Sequence, residues 1–558
     1  MENILIVSAF STGKNYIMDA VKRGYRPVVL MPICPDDAVE ELITGRDKLK
    51  QRYSRWADFY DERETYEETL ELVRSLHPIL VVPGSEDGVP LAVRLADDLG
   101  LPGNPYSRID YYIKKNRMQE ALEAYGIRFI RGKVVSSREE ALRYYREEKL
   151  NGCVVKPLRG SGSMGVRLCD DENDMLAALD EVLSNANFFG DTSNSVCLQE
   201  RIVGTEYIVN TVSYDGVHRL SSVWRYEKRR VKGGGNAYDY CMAKTELTAG
   251  DSRMIRYAFD VADAIGIKCG AVHGEYMVDE KGPVLIEVNC RAMGGSMTDN
   301  YVDRIFGHHE TDNILDTYLD PAWHFEQTKK RYRARAYGAF KFFIIPEDMR
   351  VESAPVMNII RRLKSYHSAA VGNVMTGEFP RTVDVETAGG TVFLAHEDER
   401  ILLRDLEFLR RVESKYMSML FSRPDNMKDK RPTKCASLHD VLRVCECSRS
   451  VLVATNDPAF SANVMIVPAE DVSKALGGYD WGVLDLNYRE DEDIETMIET
   501  FYALVSKVRQ GGRVAVPERT YWHLPCGMES VEILCESLGL RIEAPVYGER
   551  GVVIATVE

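Results

Sequence analysis

Val284-Leu285-Ile286-Glu287-Val288-Asn289-Cys290-Arg291 reads as a strand with two different faces. Side chains on a strand point to alternate sides, so Glu287, Asn289 and Arg291 project together while Ile286, Val288 and Cys290 pack the opposite face. One face carries chemistry and the other is core. A carboxylate and an amide oxygen are hard donors of the kind Mg²⁺ takes beside phosphates. A guanidinium just beyond them can hold phosphoryl or other oxyanion oxygens through two parallel hydrogen bonds.

Ala271-Val272-His273-Gly274-Glu275-Tyr276-Met277-Val278 supplies a partner strand. It places His273 and Glu275 on one face, and Asp279-Glu280-Lys281-Gly282-Pro283 is a turn signal that joins the two runs as a hairpin. Glu275 can then sit opposite Glu287. Two carboxylates bridged by divalent ions hold a nucleotide triphosphate where no dedicated cage of oxygens exists. A hairpin whose glutamates merely face water is the plainer alternative, and the residues upstream weigh against it.

Gly152-Cys153-Val154-Val155-Lys156-Pro157 is a short apolar strand ending in a lysine, and a loop with Gly160, Ser161, Gly162, Ser163, Met164 and Gly165 follows it. The glycines satisfy G-x-G-x-x-G, but a dinucleotide fingerprint opens a helix, whereas this loop returns into the strand-like Val166-Arg167-Leu168-Cys169. A flap whose backbone N–H groups and Ser hydroxyls close over phosphates, with Lys156 as a point charge, is the better reading. Leu198-Gln199-Glu200-Arg201-Ile202-Val203-Gly204-Thr205-Glu206 is a strand, a kink at Gly204 and a second strand. Such a hinge can offer backbone groups to an adenine edge near Glu200 and Ile202, with Glu206 placed for a ribose hydroxyl. Tyr112 to Tyr125 is an amphipathic helix closed by Gly126.

Taken in order, these elements resemble the ATP-grasp superfamily. That resemblance implies an α/β fold of three lobes that clamps ATP with Mg²⁺ or Mn²⁺. It selects Lys115, eleven residues before Gly126, as a phosphate contact over Lys114, with Lys156 as the second. It implies that Gln199, Glu200, Arg201, Ile202 and Glu206 hold adenine and ribose. Metal ligation falls to Glu275, Glu287 and Asn289, and the catalytic arginine is Arg291. The resemblance covers about residues 1–425, and within the superfamily it is nearest to the bacterial L-amino-acid ligases, through the Gly-Thr-Glu-Tyr hinge and the His-x-Glu strand.

A formal charge of −15 and a pI near 5.4 argue against nucleic acid as a partner. The basic stretch at 225–235 is short and runs into glycines, so it is expected as a mobile loop at an anionic substrate or as a solvated hairpin tip. No run reaches membrane-spanning length, and no basic leader precedes the first strand. Twelve dispersed cysteines, with Cys445-x-Cys447 as the only close pair, predict free thiols in a reducing cytoplasm.

Residues 1–110 alternate apolar strands (4–7, 27–30, 79–83) with helical stretches, the pattern of a small open α/β sheet. Ser11-Thr12-Gly13-Lys14 lacks the earlier glycine and following Ser/Thr of a phosphate loop. Ser8-Ala9-Phe10-Ser11 follows the first strand, where open α/β sheets place ligands, and is expected to touch an amino-acid substrate. Residues 111–330 are assigned to the nucleotide-clamping lobes, with the flap lobe at about 128–200; 331–425 to a strand-rich segment completing the third lobe; 426–434 to a linker. Residues 435–558 resemble the second half of a class I methyltransferase without its glycine loop. A partial Rossmann-like appendage, structural or dimerising, follows from that.

The expected function is ligation of a small-molecule carboxylate to an amine through an acyl phosphate, with amino acids or close relatives as both substrates. Lys115 and Lys156 would hold the triphosphate, Arg291 would meet the oxyanion together with backbone donors near Gly294-Gly295, and His273 would orient a substrate or take a proton. A hydrogen-bonded structural role for His273 is the alternative. A carboxylase that phosphorylates bicarbonate is a rival, although no Met-Lys-Met carrier segment occurs. A nucleotide-binding regulator without catalysis is another. Partners are therefore small molecules, with no nucleic acid and no membrane, and a homodimer is expected.

Overall fold

Ile4, Leu5, Ile6 and Val7 are fully buried along their strand, as in a parallel sheet covered on both faces. The computed structural model describes residues 1–33, 39–158, 165–184, 195–231, 236–295, 297–350, 357–370, 378–385, 387–421, 451–455, 465–485, 494–517, 528–543 and 552–557. Two compact units divide the chain. The first holds residues 1–340 and 382–386, the second 341–381 and 387–558.

The first unit opens with β1 (Asn3–Val7), β2 (Arg26–Met31), β3 (Asp58–Asp61) and β4 (Pro78–Pro83), a parallel sheet ordered β3-β2-β1-β4. At its carboxyl edge Ser8 and Ser11 take left-handed φ of 60° and 50°. Here the chain packs so closely that a Cβ on Gly84 would fall 2.4 Å from the Ser8 carbonyl oxygen, so only glycine fits. Ser11–Lys14 is a short 3₁₀ turn leading into the helix Asn15–Lys22, which agrees with the rejection of a phosphate loop.

An antiparallel sheet follows, ordered β5-β8-β6-β7, from β5 (Gly132–Val135), β6 (Cys153–Lys156), β7 (Arg167–Cys169) and β8 (Val196–Glu200). The flap expected from sequence falls in the connection between β6 and β7, where Gly160, Ser161, Gly162, Ser163 and Met164 lie outside the described residues. Next come β9 (Thr205–Tyr214), β10 (Val217–Arg230), β11 (Asn236–Ala243), β12 (Gly270–Asp279) and β13 (Gly282–Asn289), ordered β13-β12-β9-β10-β11. The helix Ala249–Ile265 packs on this sheet. Thr248 and Asp251 form its capping box and Gly266, at φ 86°, its left-handed stop. Val261, Ile265, Val272, Leu285 and Val288 share one core with Tyr112 and Leu122.

Residues 225–230 do not form a loop. They end β10, a strand of 14 residues, and their cations are paired: Lys228 with Glu206, Arg229 with Asp239, and Arg230 with Asp170. Those carboxylates come from other segments of the chain, which a local charge count cannot see.

β14 (Tyr337–Phe342) spans the sequence boundary between the units. In the second unit, β15 (Met349–Arg350) pairs with β17 (Glu378–Phe379), and β16 (Tyr366–Ala370) with β18 (Thr391–His396). The helix Glu399–Phe421 follows. Its Glu413 accepts from Lys341 Nζ at 2.5 Å and from the Ile344 N–H at 2.8 Å, with Lys341 and Glu413 both buried. The tail contributes β19 (Val451–Thr455), β20 (Met465–Pro468), β21 (Tyr479–Asp485), β22 (Val508–Pro517), β23 (Arg541–Ile542) and β24 (Val552–Thr556), ordered β20-β19-β21-β22-β24-β23. β24 is antiparallel to both neighbours and the other pairings are parallel. Tail helices Ile494–Val505 and Met528–Ser537 pack on Met357–Ile360, and Met528–Ser537 also on Glu399–Phe421. The expected linker at 426–434 and the Cys445/Cys447 pair lie outside the described residues. Cys153, Cys169, Cys197, Cys241, Cys269, Cys290 and Cys535 are free and buried. Among the described residues no helix is long and apolar enough to cross a membrane.

Candidate active site

The hairpin of β12 and β13 pairs Glu275 with Glu287 and His273 with Asn289. The ladder then slips: Tyr276 faces Leu285, leaving Ile286 as an unpaired bulge residue. That corrects the simple alternation, because Ile286 lines the same cavity as Glu287 while Leu285 joins Val288 and Cys290 in the core. Asn289 Nδ2 donates to Glu287 Oε1 at 3.3 Å, so both side chains address one point.

The helix expected from Tyr112 is broken at Lys114, whose backbone is extended, and restarts at Lys115. The break aims Lys115 inward. Its ammonium is 2.8 Å from Glu287 Oε2, and its backbone N–H donates to the Leu158 carbonyl at 3.1 Å. Burial works against the Lys115 charge, yet Glu287, Glu86 and Glu275 together hold its pKa above the usual range. Lys156, at the end of β6, is buried too, and burial followed by the nearby Lys115 charge lowers its pKa. Its ammonium makes no hydrogen bond or ion pair among the described residues. Glu287 and Glu275 act on both enclosed lysines, so cations and carboxylates alternate at this end of the site.

These residues open on a cavity of about 440 Å³. Ile130, Val154, Val166, Leu168, Met277 and Ile286 give it apolar walls, and Lys115, Lys156, Gln199, Glu206, Glu275 and Glu287 a polar end. Glu200, Arg201 and Ile202 line it as well. The Glu200 carboxylate takes Arg131, with Oε2 2.9 Å from Nη2, and the Glu200 N–H is spent on the Arg131 carbonyl oxygen at 2.9 Å. Arg201 is bound to Asp170. Glu206 lies 2.7 Å from Lys228, and burial pushes its carboxyl up. Gly165 turns back at φ 67° over Pro157. Gly204 is required, since a Cβ there would fall 2.3 Å from the Val278 carbonyl oxygen.

Beside the cavity, burial alone would raise the Glu275 carboxyl, but His273, Lys228 and Arg291 draw its pKa down to about 2. His273 Nε2 is 3.7 Å from Glu275 Oε1. Arg291 is held by Glu86 at 2.8 Å and by the Ala292 carbonyl oxygen at 3.0 Å. Glu86 comes from the turn after β4, next to Asp87, which accepts from Ser8 Oγ at 2.6 Å. Sequence reasoning missed Glu86 and Lys228. Neither was legible: Lys228 lies in a stretch that reads as a loop or hairpin tip, and only the fold brings it to Glu206 and brings Glu86 to Arg291.

Residues 150–300 match the family model described as ATP-grasp domain. Dapdiamide A synthase of Enterobacter agglomerans is 26% identical over 426 residues, covering 74% of this chain and 96% of that protein. Carnosine synthase 1 of Gallus gallus is 24% identical over 332 residues, 55% of this chain and 34% of the relative. Among solved structures, the L-amino acid ligase from Bacillus licheniformis superposes with a TM-score of 0.56 at 18% identity, over 73% of this chain and 97% of that one. N5-carboxyaminoimidazole ribonucleotide synthetase from Thermus thermophilus gives 0.52 at 15% identity, over 76% and 99%. The fold is the mixed α/β ATP-grasp fold.

Proposed function

We propose that the chain is an ATP-dependent carboxylate–amine ligase that forms an amide bond between amino acids or related small molecules and releases ADP and phosphate. The observation that carries this reading is the opposed pair Glu275 and Glu287, set with Lys115 and Lys156 at the polar end of an apolar-walled cavity. The resemblance along nearly the whole of dapdiamide A synthase supports the reaction class.

The donor set fits a magnesium ion. Glu275, Glu287 and Asn289 offer hard oxygens on one face, and Lys115 now neutralises Glu287 where a cation would. These three residues would hold Mg²⁺ or Mn²⁺, which when bound supplies charge neutralisation of the triphosphate. Lys115 and Lys156 hold phosphate oxygens and orient the γ-phosphorus for in-line attack by the substrate carboxylate. A carboxylate oxygen bonds to that phosphorus and the bond to ADP breaks. The amine then adds to the acyl carbon, Arg291 stabilises the oxyanion, and phosphate leaves as the nitrogen gives up a proton. Gln199, Ile202 and Glu206 would face adenine and ribose, with residues 160–165 as the covering flap.

Residues 435–558 are assigned here to a methyltransferase-like appendage, structural or dimerising rather than catalytic; the parallel strands with one antiparallel return support the likeness in topology. A screen of amino-acid pairs for product tests the ligase reaction. ADP and phosphate should appear only with Mg²⁺ or Mn²⁺ and a productive pair, whereas AMP and pyrophosphate as stoichiometric products would mean an adenylating enzyme.

A further inference from the structure

Lys228 has no part in the ligation scheme above, yet it lines the cavity beside Glu206. Its Nζ lies 2.7 Å from Glu206 Oε1, and the two side chains are nearly enclosed, at 16% and 11% exposure. Three neighbouring strands build this contact. Glu206, near the start of β9, stands opposite Tyr226 of β10. The ladder between β10 and β11 skips Asp239, so Lys228 stands opposite Tyr238. The two tyrosine rings, 4.7 Å apart, flank the ammonium, which lies 4.3 Å from the Tyr238 centroid and 5.4 Å from that of Tyr226.

Burial pushes the Glu206 carboxyl up, and Lys228 is the main charge opposing that. The distinction matters for what the cavity can hold. An ionised carboxylate accepts hydrogen bonds at both oxygens, whereas a protonated one turns an oxygen into a donor. Lys228 engages Oε1 and keeps the group an acceptor. Two neighbouring hydroxyls, as on a ribose, are the donors such a carboxylate takes as a pair.

We propose that Lys228 is a positioning residue for nucleotide selection: its ion pair sets Glu206 to accept both ribose hydroxyls, so that the site takes ribonucleotides over 2′-deoxynucleotides. The proposal rests on the nucleotide reading given above and adds to it the group that makes the sugar contact selective.

Calorimetry of the full chain with Mg²⁺ and either ADP or 2′-deoxyADP tests it without turnover. The unaltered chain should bind ADP about tenfold or more tightly than 2′-deoxyADP, because a charged acceptor loses a hydrogen bond with the deoxy sugar. Lys228→Met should bring the two affinities within about twofold of each other, the margin at which independent effects are told apart, chiefly by weakening ADP. Lys228→Arg keeps the charge and should recover most of the preference. Lys228→Gln keeps polarity without charge and should behave as the methionine variant does, which covers a failure of that variant to fold. Adding Lys228→Met to Glu206→Gln should weaken ADP no more than about twofold further, since the two residues act as one unit. A preference that survives Lys228→Met and Lys228→Gln, with both nucleotides weakened alike, would overturn the proposal and make Lys228 a phosphate contact or a packing residue. Equal binding of both nucleotides by the unaltered chain would overturn it as well. Failure of the unaltered chain to bind either nucleotide would defeat the nucleotide reading itself, and the proposal with it.

Discussion

Glu287 faces Glu275 across the hairpin, takes the amide hydrogen of Asn289 and pairs with Lys115. Glu287→Gln preserves its shape and removes its charge, so turnover measured as ADP release should fall roughly 10²–10³-fold, on the scale of other preorganised electrostatic groups. Arg291 lies outside the cavity lining and is held by Glu86. Arg291→Met should therefore retain ATP affinity by calorimetry while losing product, and loss of ATP binding would show that the division of roles is wrong. A different residue tests stability alone. Lys341 and Glu413 are buried against each other, and Glu413→Gln removes the charge that the enclosed Lys341 ammonium meets at 2.5 Å. That should destabilise the second unit by about 3–5 kcal/mol, read from the shift of its unfolding transition in urea.

Between elements, His309 is a clamp. Its Nε2 meets Asp19 of the helix Asn15–Lys22 at 2.9 Å, and its Nδ1 meets Asp303 at 2.9 Å. Burial opposes the imidazolium, but Asp19 and Asp303, followed by Asp312, raise its pKa to about 10. Because the folded value lies above the unfolded one near 6.5, the clamp contributes fully below about pH 6.5 and is lost as pH rises towards about 10. Thermal unfolding of the first unit should fall across that window, and His309→Asn should flatten the profile. An unchanged slope in that variant would place the titration elsewhere. Elements also show where periodicity misleads. The helix around Lys115 had the right closing glycine but the wrong start, since Lys114 turns extended to seat Lys115 against Glu287. Ile286 moved from core to cavity because one bulge shifts the alternation by a residue.

At the scale of the chain, every placed site residue lies in the first unit, while the tail packs with residues 357–360 and 399–421 inside the second. The division by sequence set a subdomain at 331–425 apart from the appendage; the second compact unit takes in most of both. Truncation after about residue 430 should leave nucleotide binding in place and uncover the helix faces that the tail helices meet, changing solubility or oligomeric state on gel filtration. Binding of S-adenosylmethionine to the full chain, absent after truncation, would contradict a non-catalytic tail. The opposed glutamates and the lysine ending β6 were legible because each depends on spacing within one or two neighbouring strands, where a period of two and a turn signal dictate which side chains meet; Lys115, at the start of a helix, was singled out only by the family resemblance. Glu86 beside Arg291, the Lys228–Glu206 pair and the contacts of Asn210 with Glu310 and His273 were decided by tertiary structure alone. Their partners lie far apart in sequence, and only the packing of separate sheets and helices brings those charges and hydrogen-bonding groups within reach.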